Sequence, residues 1–345
     1  MRIKVDNFEI GDECPTFIIA EMGANHNGSI EMAKKIIDKA KWAGANAVKI
    51  QTWQAEKFIS LHDKNQEWLN IEYLKKYEFK LDWLKELINY CKKKKIILFS
   101  TPADYEDCDI LEKFNTPLYK WGGVQITDHP KLKYVASKGR PIILSTGGST
   151  IEEIKNAVKL IENTGNKNII ILQCTTIYPC DLEKVNLNVI LKFKEIFPYP
   201  IGFSGHTLSI YPAIASVALG ACVVEKHITI DRNLKGPDHS FAMEPNEFKM
   251  MIEGIRSVEK SLGSREKLVY KEEKDIIAKS RRSIITQIDI SKGTKITQDM
   301  LDTARPATGI QPTLYNFENK IPGKIAKRDI KAREVIKWDM INDGN

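Results

Sequence analysis

The sequence predicts an α/β protein, a closed (β/α)8 barrel followed by a small, mostly-β module. Three observations carry this. Short β-rich runs alternate with amphipathic helical stretches, eight pairs in about 230 residues, which is the rhythm of a TIM barrel. The segment after the first run, Glu21-Met22-Gly23-Ala24-Asn25-His26-Asn27-Gly28, lacks the GxGxxG spacing of a dinucleotide turn, so an open doubly wound sheet is the alternative. From Arg281 the pattern changes to short strand-like runs separated by turns.

The runs, in order, are 17–20, 47–50, 96–99, 118–120, 141–144, 169–172, 201–203 and 222–224. Between the first two, Met32, Ile36, Ile37 and Ala40 share one face at helical spacing, and Leu81, Leu84, Leu87 and Ile88 do so before the third. Residues 53–79 break the rhythm. This segment is too long for a routine βα loop and carries Trp53, Phe58, Trp68, Tyr73 and Tyr77. It reads as a lid or oligomer contact, or equally as an apolar flap on the barrel's own surface. A last helix covers 245–262, and the charged stretch from Ser264 reads as a helical linker. The expected domains are therefore 1–263, a linker at 264–280, and 281–345. The last of these has Ser283-Ile284-Ile285-Thr286 as a strand, Lys292-Gly293 and Pro322-Gly323 as turns, and 12 basic against 8 acidic residues.

A chain of 345 residues suits one large domain plus a small one. With 42% hydrophobic and 28% charged residues it is an ordinary globular sequence rather than a disordered one. The net charge of +7 is mild and does not by itself choose between small anions and nucleic acid. The start, Met1-Arg2-Ile3-Lys4-Val5-Asp6, is charged and leads into no apolar run, and Ala213 to Val224 falls well short of the roughly 20 residues that span a bilayer. Six cysteines without a CxxC spacing argue against a disulfide framework or zinc knuckle. The expectation is a cytoplasmic protein with neither a membrane nor a nucleic-acid partner.

Barrel enzymes build their sites where strands end and βα loops begin. The polar residues there are Glu21, Lys49 and Gln51, Thr101, Lys120, Ser145 and Thr146, Thr175 and Thr176, His206, and Glu225 with His227, so all eight strand ends contribute. His206 and His227 end neighbouring strands. They either converge on one divalent ion, with water and substrate completing an open shell, or hydrogen-bond separately inside the mouth; the pairing favours the ion. Lys49, Lys120, Thr101 and Ser145 form a cationic, hydroxyl-rich set that suits a phosphate or carboxylate. The helix start at Ser149-Thr150, with Glu152-Glu153 in its first turn, offers an amide anion site, an ordinary capping box, or both.

These residues arrive in an order that resembles the sialic acid synthase family. The matching segments are Ile19 to Gly28, Ala47-Val48-Lys49-Ile50-Gln51-Thr52, Phe99-Ser100-Thr101-Pro102, Ser145-Thr146-Gly147, Tyr178-Pro179, Ser204-Gly205-His206-Thr207, Glu225-Lys226-His227 and Gly236-Pro237-Asp238-His239. Arg305-Pro306-Ala307-Thr308-Gly309-Ile310 resembles the family's antifreeze-like (SAF) module. The resemblance implies an enzyme that condenses phosphoenolpyruvate with an N-acylated hexosamine to give a nonulosonic acid and phosphate. It implies that Lys49, Thr101, Lys120 and Ser145 hold phosphoenolpyruvate, that His206 and His227 bind Mn²⁺ or Mg²⁺, and that Glu21 orients the attacking water or the cationic intermediate. It further implies that Gln51, Tyr178 and Asp238 meet the sugar and that Thr176 stands at an Asn position of the substrate site. The module is implied to cover the site of a second subunit in a domain-swapped homodimer and to bring Arg305 there. A 16-residue helical linker would span about 24 Å for that reach.

The sequence departs from the family pattern in four places. Gly123 replaces a phosphate-binding serine, Gln125 an acidic residue, Gly205 the Asp of an Asp-His pair, and Thr176 an Asn. A lost hydroxyl donor costs about 1 kcal/mol, so serine restored at 123 is expected to leave phosphoenolpyruvate affinity equal or better. Without the carboxylate, His206 lacks its usual tuning partner. Within the synthase reading, an N-acetylneuraminate or legionaminate type ranks ahead of a pseudaminate type. Two alternatives are a Schiff-base aldolase using Lys49 or Lys120, and a degenerate barrel kept as a scaffold.

Overall fold

Eight parallel strands close into a barrel in the computed structural model, which describes residues 1–60 and 70–343. A hairpin of β1 (Arg2–Val5) and β2 (Phe8–Gly11) precedes it. The barrel runs β3 (Phe17–Glu21), β4 (Ala47–Thr52), β5 (Ile97–Pro102), β6 (Tyr119–Trp121), β7 (Ile142–Ser145), β8 (Ile169–Cys174), β9 (Ile201–Gly205) and β10 (Val223–His227), with β10 pairing back onto β3. The helices between and after the strands are α1 (Ile30–Ala43), α2 (Ala55–Phe58), α3 (Ile71–Tyr77), α4 (Trp83–Lys94), α5 (Tyr105–Lys113), α6 (His129–Ser137), α7 (Ile151–Asn163), α8 (Val189–Ile196), α9 (Tyr211–Ala218) and α10 (Pro245–Leu262).

The strands are nearly all apolar, as strands covered on both faces must be. One face of each packs under the helices: Ile18, Ala20, Val48, Ile50 and Leu144 join Ile36, Ile37, Leu84, Leu87 and Ile154 in one core. The other face points inward with period two. Phe17 and Ile19, Ala47, Ile97 and Phe99, Leu118, Ile143, Ile170 and Leu172, and Val223 fill the lower barrel. The same alternation therefore places Glu21, Lys49, Thr101, Lys120, Ser145 and Glu225 inward at the opposite, C-terminal end. Helix α1 shows how local signals set the frame: the Ser29 hydroxyl accepts from the Met32 N–H, and Gly44 stops the helix in the left-handed region at φ 101°.

The hairpin was not expected. Ile3, Val5 and Ile10 join the apolar cluster of the lower barrel and close that end. Its strands are four residues each, too short for alternation to stand out, and Asp6 carries the turn at φ 51°.

The chain divides into a unit Met1–Gly263 and a unit Ser264–Asn345. In the second, β11 (Ser283–Thr286) pairs antiparallel with β12 (Leu301–Ala304), and β13 (Ile325–Ala326) with β14 (Ile341–Asn342). Ile284, Ile290, Ile296, Ile310, Ile330 and Ile336 form its core. The expected helical linker over 264–279 is corrected: α-helix is confined to α11 (Lys274–Ser280), after a single turn at Lys271–Glu273. Apart from the half-buried Ile277 the stretch is exposed and has no apolar stripe to dock, so nothing holds a longer helix together. No helix of the described residues is long and apolar enough to cross a membrane.

Candidate active site

The inward polar residues converge at the C-terminal barrel mouth on a cavity of about 100 Å³, lined among others by Lys49, Lys120, Ser145, Thr176, Tyr178, His206 and His227. Its floor is a buried charge cluster. Glu225 Oε1 lies 2.7 Å from Lys120 Nζ and 3.5 Å from Lys49 Nζ, and accepts from the Ser204 hydroxyl at 3.3 Å. Lys49 Nζ also lies 2.9 Å from Glu21 Oε2 and donates to Thr101 Oγ1 at 3.3 Å. Gln51 donates to Glu21 Oε1 at 2.8 Å and so is tied to that carboxylate. Register explains the meeting, since Glu21 pairs across the ladder with Lys49 on one side and His227 on the other.

Burial and neighbours pull these groups apart. Burial alone raises a carboxyl, but Lys120 and Lys49 bring Glu225 down to about 2. Burial, helped by the Glu225 charge, pushes Glu21 up against the pull of Lys49. Burial opposes the Lys49 charge, yet Glu21 and Glu225 hold it above the ordinary lysine range, whereas burial lowers Lys120 despite Glu225. Two carboxylates with divided behaviour result: Glu225 is a fixed counter-ion, and Glu21 is the one suited to take a proton.

The two histidines stand on the wall with ring centroids 5.6 Å apart. His206 Nδ1 is 2.8 Å from the Thr175 carbonyl, which only accepts, so the proton sits on Nδ1 and the Nε2 lone pair is free. His227 Nδ1 is buried without a hydrogen-bond partner, 3.8 Å from Asp238 Oδ2. Burial pushes His206 down to about 4 and lowers His227 as well, so both rings are neutral. Neutral imidazoles with an orphaned buried nitrogen fit a divalent ion in an open site. No third His, Cys, Asp or Glu completes a metal cluster among the described residues.

Other expected residues fall into place around this. Thr176 and Tyr178 line the cavity, with the Tyr178 ring tilted against that of His206 at 4.1 Å between centroids. Asp238 accepts from the Ala24 N–H at 2.8 Å and occupies the space where a side chain on Gly23 would begin. Arg305 lies in the second unit, exposed, on the loop after β12; Ser283 Oγ braces that loop by donating to the Pro306 carbonyl and accepting from the Gly309 N–H. Of the 53–79 segment, Trp53 and Phe58 contact each other at 5.7 Å, while Trp68 lies outside the described residues. At α7, Thr150 and Glu153 cap each other, so the helix start forms the ordinary box.

Three departures acquire physical reasons. A Cβ on Gly123 would lie 2.4 Å from both the N and the O of Gly147, so the two loops touch backbone to backbone, and this close approach is what glycine supplies there. A Cβ on Gly205 would lie 2.6 Å from the Phe203 ring, which leaves no room for an aspartate, and the Thr175 carbonyl orients His206 instead. Gln125 Oε1 accepts from the Gly122 N–H at 3.3 Å and caps its own turn. Sequence reasoning saw Glu225 at a strand end but gave it no role; its inward phase from Val223 was the available signal. Cys174, Ser204 and Phe241 were missed.

Comparison with known proteins places this geometry. The model of the NeuB family matches residues 36–267, and that of the SAF domain matches 281–342. The chain belongs to the NeuB family. Among NeuB relatives, the N,N'-diacetyllegionaminic acid synthase of Campylobacter jejuni is 39% identical over 93% of this chain and 99% of its own. The N-acetylneuraminate-9-phosphate synthase of Homo sapiens is 35% identical, covering 85% and 84%. A crystal structure of N-acetylneuraminic acid synthetase from Leptospira borgpetersenii, in complex with citrate, superposes with a TM-score of 0.74 at 32% identity, covering 80% of this chain and 95% of that one. The family is thus one of nonulosonic acid synthases, sialic, legionaminic and pseudaminic.

Proposed function

We propose that this chain condenses phosphoenolpyruvate with an N-acylated hexosamine, giving a nonulosonic acid of the N-acetylneuraminate or legionaminate type and inorganic phosphate. The observation that carries this is the pair of buried ammonium groups, Lys49 and Lys120, held over Glu225 at the floor of a cavity whose wall presents two neutral imidazoles. An incoming phosphate or carboxylate meets two fixed cations with Ser145 beside them, in a site where charge-assisted bonds are strong. Glu225 balances that charge until the anion arrives.

His206 and His227 would hold Mn²⁺ or Mg²⁺, which when bound would supply Lewis-acid polarisation of the sugar aldehyde. Asp238 and Tyr178 orient the sugar beside it. Glu21 faces the reacting carbon as the carboxyl able to accept a proton from water, and its raised affinity for protons suits that task. Lys49 and Lys120 then stabilise the departing phosphate. The active unit is a homodimer in which Arg305 of one copy serves the site of the other.

The test is phosphate release. The chain with Mn²⁺ and phosphoenolpyruvate is offered a panel of N-acylated hexosamines, with the product identified by mass. Turnover with one of them and none after His206→Ala or His227→Ala supports the reading. No phosphate with any sugar overturns it. Because burial lowers Lys120, a Schiff-base aldolase is the second reading, and borohydride trapping with pyruvate would reveal it.

A further inference from the structure

The imidazoles at the mouth are set against a third ring. Phe241 is only 5% exposed and lies in the short turn His239–Phe241. Its centroid is 5.0 Å from that of His227 at 74°, and 6.4 Å from that of His206 at 89°, edge-to-face to both. Tyr178 closes the group, 4.9 Å from Phe241 and 4.1 Å from His206. The turn is tied to the strand that carries His227, because the Met243 N–H donates to the His227 carbonyl and the Thr229 N–H to the Met243 carbonyl, each at 2.9 Å.

An imidazole turns about a broad, soft χ2 unless something fixes it. His206 is fixed by the Thr175 carbonyl. His227 has no such bond, since its Nδ1 is unpartnered and Asp238 stands 3.8 Å away. Of the rings against His227, Phe241 is the nearest, edge-on at 5.0 Å, with His206 at 5.6 Å and Tyr178 at 6.4 Å.

We propose that Phe241 is a positioning residue that sets the plane of His227, and through Tyr178 that of His206, so that the two lone pairs converge on one divalent cation. The inference rests on the metal reading above. Its phenyl ring carries no atom that could ligate the ion. It does for His227 what a hydrogen-bonded outer partner commonly does for a metal-binding histidine.

The test uses the full chain and Mn²⁺ alone. Binding is followed by electron paramagnetic resonance, and the nitrogen couplings of coordinated imidazole are counted by electron spin echo envelope modulation. Wild type should show two imidazoles and His227→Ala one. Phe241→Leu keeps apolar bulk but loses the flat edge. It should bind Mn²⁺ about tenfold more weakly, with the two-imidazole pattern lost and the thermal midpoint close to wild type. Phe241→Tyr retains the ring and should keep both affinity and couplings, which also carries the test if the leucine variant folds poorly. Wild-type affinity and two couplings in Phe241→Leu, or their loss in a folded Phe241→Tyr, would overturn the proposal while leaving the metal reading intact. A wild type with no imidazole coupling would remove both.

Discussion

Gly123 acts through the atom it lacks. Its neighbour across the loop is the Gly147 backbone, and a Cβ would lie 2.4 Å from that nitrogen and oxygen. Main chain does not give way as a flexible side chain does, so Gly123→Ser should cost about 1–3 kcal/mol of stability through overpacking. It should also raise the KM for phosphoenolpyruvate, since the displaced 147 turn adjoins Ser145. Thermal melting and phosphate-release kinetics read both, and a serine variant with wild-type values would show that the loops part freely. His26 makes a second residue-scale case. Buried edge-on against Phe79 and Trp83 and accepting from the Gly28 N–H, it is pushed down to about 4 from an ordinary 6.5. The unfolded chain therefore binds the extra proton between pH 6.5 and 4. Stability present above 6.5 is lost as pH falls to about 4, by roughly 3 kcal/mol. Denaturant melts across this range should show that loss in wild type and a smaller one in His26→Gln. Glu21, Lys49, Lys120, His206 and His227 were legible in the sequence because strand ends and period two fix which side chains face inward. Gly123 and Phe241 were not: one works by close approach of a distant backbone, the other by the plane of a ring, and neither leaves a local pattern.

At the scale of elements, all eight barrel strands and the faces of α1 and α4 could be read from apolar spacing, because each must bury a continuous surface. The hairpin of β1 and β2 escaped, since its reason for existing is the open lower end of the barrel, which only the closed ring creates. The linker failed in the opposite sense: helix-forming residues are present, but without a packing face they hold α-helix only at Lys274–Ser280. Helix α7 offers a test of what its start is for. Thr150 Oγ1 accepts from the Glu153 N–H, and Glu153 Oε2 accepts from the Thr150 N–H at 2.7 Å, so first-turn amides are engaged within the helix itself. Thr150→Ala should lower stability by about 1 kcal/mol and leave the KM for phosphoenolpyruvate unchanged. A raised KM at unchanged stability would return the helix start to the substrate site.

On the whole molecule, the barrel mouth presents apolar side chains to solvent from separate loops: Val124 is 73% exposed and Tyr211 74%, with Ile177 and Leu208 also exposed. Such exposed apolar groups are compatible with a surface that another protein covers. The proposed cover is a second copy, and Arg305, exposed on the braced loop after β12, is the cation it would bring to the N-acyl sugar. In a swapped dimer each site takes its histidines from one chain and its arginine from the other. Arg305→Ala and His206→Ala should each be inactive alone as homodimers. Mixed in equal amounts under conditions where subunits exchange, half the dimers are hybrid, and one site in each hybrid holds both wild-type residues, so activity should return to about one quarter of wild type. Sedimentation should show a dimer throughout. If Arg305 instead serves its own chain's barrel, every hybrid site carries one lesion and mixing restores nothing. A monomer, or exchange without rescue, would remove the swapped arrangement, and an Arg305→Ala variant with wild-type activity would leave Arg305 a solvated surface residue.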